Sequence, residues 1–336
     1  MKLATFRNPL KQSRIAIVHG ADDRLFDLAA AAERAGRAGA PFASMADLID
    51  AGGKGLDVAA EIFAARGNED DLSHPLSDVV LLAPLPEPRQ FRDAMSFPKH
   101  ILQGPRGMQA HLALKGGNPA EAERIMATPL GELPDVYRQV PIFYITNRFS
   151  VRGTGSTVRW PRYSRLMDYE LELAIVTTGT ACNVSEREAG KHIFGYTIFN
   201  DFSARDRQMV EMQGRLGPSK GKSFDGGNVL GPWIVTKDEI PDPHSLRMQA
   251  RVNGQTRCDS TSSGMLYSFE ELVARIAEDE TIRPAEVIGS GTVGDGCGLE
   301  HGRFLDHGDE VELEIERIGV LRNRVERQDA AALAAE

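Results

Sequence analysis

The chain has 336 residues, 41% hydrophobic, 26% charged and 7% aromatic, a balance near the soluble globular average that excludes disorder over most of its length and predicts about two domains. Thirty-nine Lys and Arg against 48 Asp and Glu leave a net charge of -9 with no basic block, which argues against a nucleic-acid partner. The start, MKLATFRNPLKQSR, lacks the apolar run of a secretory signal, no window resembles a spanning helix, and three scattered cysteines (Cys182, Cys258, Cys297) suit a reducing compartment. A cytoplasmic protein without a membrane partner is expected.

In chain order, apolar runs at Leu3 to Phe6 and Ile15 to Val18 around a polar bend predict a hairpin. Helices are expected at Leu25 to Ala35, Ala46 to Ile49 and, past glycines 52 to 55, Val58 to Ala65, followed by a buried strand at Val79 to Ala83. Pro84-Leu-Pro-Glu-Pro88 stiffens the chain and marks a boundary, separating a small N-terminal domain (1–88) from a larger one (89–328) with an Ala-rich tail (329–336). Between Phe91 and Val140 glycines and mixed patterning predict a functional loop region with one short helix at Ala120 to Met126. Strands follow at Ile142 to Thr146, Tyr169 to Thr177, Gly195 to Asn200, Trp233 to Thr236, Arg247 to Val252, Val287 to Gly289 and Glu310 to Ile318. Two helices interrupt them, Ser185 to His192, with Ser185 and Glu188 as a capping box, and Ser268 to Ala277. The fold class is α+β, mainly β.

In Asp168-Tyr-Glu170-Leu-Glu172 the period of a strand puts Asp168, Glu170 and Glu172 on one face, with the glutamate Cα atoms roughly 7 Å apart. Both carboxylates can reach one ion; a sheet with one solvated acidic face accounts for the same alternation. Asn200-Asp201-Phe-Ser-Ala-Arg205-Asp-Arg-Gln208 carries an apolar strand into a polar cluster, and a glycine-rich loop holds Lys222. Asp93 and His100 lie seven residues apart after the proline segment.

Seven strings in this order, Asp-x-Glu-x-Glu (168–172), Asn-Asp-x-Ser-Ala-Arg-Asp (200–206), Gly-Lys-Ser-Phe-Asp (221–225), Gly-Pro-Trp (231–233), Val-Asn-Gly (252–254), Ser-Gly-Thr (290–292) and Gly-Asp (308–309), make the chain resemble the fumarylacetoacetate hydrolase family over about residues 89 to 325. The resemblance implies a β-rich N-terminal domain followed by a mixed β-sandwich roll, a homodimer, and a divalent cation on Asp93, Glu170, Glu172 and Asp201. All-oxygen ligands suit Mg²⁺, with Ca²⁺ or Mn²⁺ as alternatives, and argue against Zn²⁺. It further implies His100 as the base that activates water, Glu300 as the carboxylate that orients it, and Arg205, Gln208 and Lys222 as stabilisers of developing charge. Substrate contacts are implied at Tyr144 and Thr292, and at Met95 and Met212, which stand where tyrosines are expected. The expected function is hydrolysis of a carbon-carbon bond in a small 1,3-diketo acid of the fumarylacetoacetate or acylpyruvate type, in aromatic or related catabolism. The alternative is a 2-oxo acid decarboxylase, lyase, hydratase or isomerase.

The arginine that would clamp a substrate carboxylate falls at Gln109, with Arg106 nearby, so a less polar or larger diketone is expected. Gln103, three residues after His100, replaces a glutamate found in the acylpyruvase-like branch and favours the Glu300 arrangement. Gly289-x-Gly291-x-x-Gly294 fits a dinucleotide fingerprint in form only, because no helix follows. Cys297 with His301 and His307 has neither regular spacing nor a fourth ligand for zinc.

Overall fold

The computed structural model describes residues 1–8, 10–37, 39 and 41–328; the tail expected at 329–336 lies outside the described residues. The chain opens with β1 (Lys2–Arg7), β2 (Ser13–His19), β3 (Arg24–Asp27), α1 (Leu28–Arg34), α2 (Met45–Arg66), β4 (Ser73–Pro75) and β5 (Val80–Leu81). It continues with β6 (Phe91–Ala94), α3 (Pro98–Lys115), α4 (Pro119–Ala127), α5 (Val136–Gln139), β7 (Phe143–Ile145), β8 (Val151–Arg152), β9 (Thr157–Trp160), β10 (Met167–Asp168) and β11 (Leu171–Thr177). Then come α6 (Glu186–Ala189), β12 (Ile193–Asp201), β13 (Ser203–Ala204), α7 (Arg205–Met212), β14 (Asn228–Thr236), β15 (Arg247–Val252) and β16 (Gln255–Thr261). The last elements are α8 (Phe269–Ile276), β17 (Val287–Gly289), β18 (Glu310–Ile315) and β19 (Gly319–Arg327).

The strands form a mixed α+β architecture. One sheet of twelve strands runs in the order β4-β3-β2-β1-β14-β12-β11-β17-β6-β7, with β5 beside β1 and β8 beside β14. The N-terminal meander belongs to this sheet through the β1–β14 pair, so the proline segment at 84–88 connects strands of one sheet. A second sheet, β16-β15-β18-β19-β9, covers one face. Leu171, Leu173 and Ile175 of β11 pack there with Tyr196, Met248 and Leu313. On the other face Ala174 and Val176 pack with Phe26, Leu48 and Ala59 beneath α1 and α2. With both faces covered, β11 is buried along its whole length, and its acidic positions have no solvent to face.

Several elements depart from the sequence reading. Leu25 to Asp27, expected as the start of a helix, belong to β3 and pair with β2, and the helix starts only at Leu28, where the Asp27 carboxylate accepts the Ala30 N–H at 2.8 Å. The two helices expected around glycines 52 to 55 are one bent element, α2, with its break at Gly52 (φ 57). The buried strand expected at Val79 to Ala83 shrinks to the edge pair Val80 and Leu81, with Val80 59% exposed. At Ser185 no capping box forms, since its hydroxyl bonds the Glu188 carboxylate; the box closes at Ser268 and Glu271 instead. The strands β16 and β19 were not expected, being largely polar on their outer sides.

The main correction concerns residues 91–140, expected as a loop region. They hold β6 and three helices, of which α3 is 18 residues long. Gly104, Pro105 and Gly107 lower its intrinsic propensity, and tertiary contact overrides them. A Cβ on Gly107 would stand 1.9 Å from the carbonyl oxygen of Leu299, so the glycine lets α3 lie directly on the turn that carries Glu300. Gly107→Ala therefore forces the two segments apart and lowers stability by about 1–3 kcal/mol. The check is the urea midpoint at unchanged slope; an unshifted midpoint shows the contact to be slack.

Candidate active site

Asp93 ends β6, Glu172 lies in β11 and Asp201 ends β12, and sheet order brings these strand ends together with β17 between β11 and β6. At the centre stands Gly289 of β17, opposite Asp93 in register. A Cβ there would lie 2.5 Å from Asp93 Oδ1 and 2.8 Å from Glu172 Oε2, so its absence makes the space in which two carboxylates meet. One oxygen from each of Asp93, Glu172 and Asp201 lies within 4.8 Å of the others. The Gly291 N–H donates to Glu172 Oε2 at 3.1 Å, and the Thr292 hydroxyl lies 3.3 Å from Oε1. Of the glycines in the apparent dinucleotide fingerprint, Gly289 thus makes room for carboxylates and Gly291 brings an N–H to one.

Glu170 stands beside this cluster with different partners. Arg205 Nη1 lies 2.8 Å from Oε1, and the Lys222 ammonium bonds Oε2 while reaching Asp201 Oδ2 at 2.6 Å. Arg205 is fully buried; its Nε donates to Asp168 Oδ2 at 2.8 Å and its Nη1 to Gln208 Oε1 at 3.0 Å. Tyr144 donates to Asp201 Oδ2 at 2.6 Å.

The charge pattern follows from these partners. Burial pushes the Asp93 carboxyl up to about 7, helped by the Asp201 charge, and Asp201 to about 6. Glu172 rises well above its ordinary value through burial and the Asp93 charge. Burial pushes Glu170 the same way, but Arg205 and Lys222 outweigh it and hold that carboxylate far below the usual range. The donor set fits a hard divalent cation: three clustered carboxylates, with Asp93 Oδ1 and Asp201 Oδ1 buried and without any hydrogen-bond partner. Glu170, expected as a fourth ligand, falls outside this group of three, its two oxygens being taken by Arg205 and Lys222.

His100 enters from the first turn of α3. Its Nδ1 lies 3.1 Å from Glu300 Oε1, and its Nε2 points toward the carboxylates, 3.9 Å from Glu170 Oε1. Glu300 is fully buried and its second oxygen accepts the Cys297 N–H at 3.1 Å. Burial pulls the imidazole down, yet the Glu300 hydrogen bond and charge raise it above its ordinary value. Gln103 is engaged by Asp295 at 2.8 Å, away from the imidazole.

These groups line a cavity of about 740 Å³ that takes in Asp93, His100, Tyr144, Glu170, Glu172, Arg205, Gln208, Lys222 and Thr292. Much of its remaining wall is apolar, with Met95, Met108, Met209, Met212 and Leu216, and Tyr137 and the cationic Arg215 line it as well. Arg205, Gln208, Met209 and Met212 recur at one-turn spacing and make up the cavity face of α7. Arg106 is bonded to the Thr128 carbonyl and Gln109 is exposed, so neither clamps a ligand.

Two residues without a role in the sequence reading stand out. Asp168 accepts the N–H groups of Gly298 and Leu299, both at 2.8 Å, as well as Arg205, and so ties the Glu300 turn to the guanidinium. Its position in the Asp-x-Glu-x-Glu alternation was visible; its partners, distant in sequence, were not. Cys297 brings its thiol 3.8 Å from His100 Nδ1.

Comparison with known proteins gives a consistent picture. The family profile for the C-terminal part of fumarylacetoacetate (FAA) hydrolase matches residues 114–326. Oxaloacetate tautomerase YisK of Bacillus subtilis (strain 168) is 30% identical over 310 residues, covering 90% of this chain and 93% of that protein. The mitochondrial oxaloacetate tautomerase FAHD2A of Bos taurus is 37% identical over 188 residues, covering 55% and 59%. The fumarylacetoacetate hydrolase structure from psychrophilic Exiguobacterium antarcticum superposes with a TM-score of 0.69 at 26% identity, covering 98% of this chain and 100% of that one.

Raised carboxyl pKa values mean that the folded chain binds more protons than the unfolded one, so stability without metal falls as pH rises toward about 7. A bound dication removes that penalty. Saturating Mg²⁺ or Mn²⁺ therefore raises the melting temperature more at about pH 8 than at about pH 5.5, read by differential scanning fluorimetry. Gly289→Ala, which fills the space between Asp93 and Glu172, abolishes the shift; equal shifts at both pH values would count against cation binding by these carboxylates.

Proposed function

The chain belongs to the fumarylacetoacetate hydrolase family, and from that membership we propose that it is a cation-dependent hydrolase cleaving the carbon-carbon bond of a 1,3-diketo acid. The observation that carries this reading is the His100–Glu300 pair, buried at the edge of the carboxylate cluster with Nε2 turned toward it. Asp93, Glu172 and Asp201, with Glu170 beside them, would hold the cation. Once bound, it would polarise the oxygens of a chelated diketone.

The residues of the chain supply the rest. Glu300 accepts the Nδ1–H and leaves Nε2 as the free base, which takes a proton from water while that water's oxygen bonds the carbonyl carbon. The carbon-carbon bond then breaks, one fragment leaving as a carboxylic acid and the other as a carbanion that recovers the proton from His100. Lys222 and Arg205 face the developing negative charge, and both are held cationic by buried carboxylates. The methionine wall and the lack of a clamp at Gln109 suit a substrate with an apolar acyl arm.

A second reading rests on the oxaloacetate tautomerase relative, which matches nine-tenths of the chain. There His100 would move a proton between carbon and enol oxygen, with no water consumed.

Acylpyruvates and oxaloacetate enol, incubated with Mg²⁺ or Mn²⁺ in H₂¹⁸O, separate the two. Hydrolysis places one ¹⁸O in the new carboxylate, and His100→Gln slows it by about 10²–10⁴-fold. Enol conversion without cleavage of any diketone would overturn the hydrolase reading in favour of the second.

Glu300→Gln removes the charge that raises His100, so the acid limb of the kcat/KM profile moves to lower pH and the maximum falls. An acid limb that stays in place shows another group to be the base.

A further inference from the structure

Behind His100 lies a donor set that the hydrolytic reading uses only in part. Cys297 Sγ stands 3.8 Å and Glu300 Oε1 3.1 Å from His100 Nδ1, and one donor atom from each residue lies within 4.8 Å of the other two. All three side chains are buried. Cys297 and Glu300 share one backbone turn, closed by the Cys297 N–H on Glu300 Oε2 at 3.1 Å. A single rigid segment therefore brings a thiol and a carboxylate to the imidazole, which comes from α3.

We propose that His100, Cys297 and Glu300, with a water molecule as the fourth ligand, form a second metal site, for Zn²⁺ or another thiophilic dication, whose occupation switches off the base. Tetrahedral zinc with arms of about 2.0–2.1 Å to nitrogen or oxygen and 2.3 Å to sulfur separates N from O by roughly 3.3 Å and N from S by roughly 3.6 Å. The observed 3.1 and 3.8 Å lie within about 0.2 Å of these two separations, and the third pair, sulfur and carboxylate oxygen, stays within 4.8 Å. Thiolate and carboxylate together neutralise the dication, and nitrogen-sulfur donors select against the hard cation suited to Asp93, Glu172 and Asp201. Neither His301 nor His307, the sequence neighbours first considered for Cys297, belongs to the cluster.

The proton balance gives the consequence. Metal takes the place of the hydrogen on Nδ1, the ring's proton moves to Nε2, and the thiol proton leaves to solvent. An imidazole in that state has no lone pair for a proton from water, so turnover stops although the carboxylate cluster is intact. The switching step rests on the hydrolase reading; the binding step does not.

The full-length protein, saturated with Mg²⁺ to fill the carboxylate cluster, is titrated with Co²⁺ as the spectroscopic probe. One equivalent produces a thiolate-to-cobalt charge-transfer band and the intense visible bands of a four-coordinate ion. Glu172→Gln keeps both, Cys297→Ala and His100→Gln lose them, and prior addition of Zn²⁺ prevents them. Zn²⁺ also lowers diketone turnover by about tenfold or more in the native protein, whereas the turnover that remains in Cys297→Ala is insensitive to it. No charge-transfer band, or one that survives Cys297→Ala and so belongs to Cys182 or Cys258, overturns the site. Zinc that binds as described without slowing turnover overturns the switch. Absence of diketone turnover under all metal conditions fails the hydrolase reading and leaves the spectroscopic test of the site standing.

Discussion

The structure turns on the burial of like charges. Asp93, Asp168, Glu170, Glu172 and Asp201 converge at one end of the large sheet, none of them more than 5% exposed, and among the described residues the permanent cations paired with them are Arg205 and Lys222. Ionised carboxylates removed from water at such separations repel one another strongly, and each one either finds a countercharge or keeps its proton. The chain divides the problem. Arg205 and Lys222 compensate Asp168 and Glu170, and Lys222 also touches Asp201, while burial and mutual repulsion push the Asp93 and Glu172 carboxyls toward their protonated forms. The electrostatic deficit suits the site to a divalent cation, and the unpartnered oxygens of Asp93 and Asp201 are its local sign.

Close approach of backbone segments makes this concentration of charge geometrically feasible. Gly289 gives the carboxylates their common space, Gly291 brings an N–H to Glu172, and Gly107 seats α3 on the Leu299–His301 turn. Gly221 does the same for the Lys222 loop, where a Cβ would meet Gln208 at 2.7 Å. Asp168 adds a polar tie, holding that turn and Arg205 at once. His100 and the acid cluster are therefore one mechanical unit, although they come from segments up to 200 residues apart. The same economy places a thiol against the imidazole, so one ring stands between an all-oxygen donor set and a mixed nitrogen, sulfur and oxygen one.

Family membership is consistent with this division of labour. The features common to the site, an acidic cluster, a cationic pair and a cavity of several hundred Å³, serve any chemistry that begins by polarising a 2-oxo acid. Here the His100 imidazole is oriented by a carboxylate from a distant turn, with Gln103 occupied elsewhere, and part of the cavity wall is built from flexible methionines on α3, α7 and the approach to α3.

The sequence by itself determined the strands whose apolar alternation is strong, the capping box at α8 only as a helix start, and the identity of the acidic and basic side chains, because local period and residue chemistry need no partner. It did not reveal α3, whose glycines and proline argue against a helix until the Leu299 turn is packed on it. Nor could it decide between a solvated acidic face and a buried one on β11, since that depends on two covering layers that come from remote parts of the chain. The different fates of Glu170 and Glu172, two residues apart, were settled only by which cations reached them in space, because electrostatic energy follows distance through the fold rather than separation along the chain.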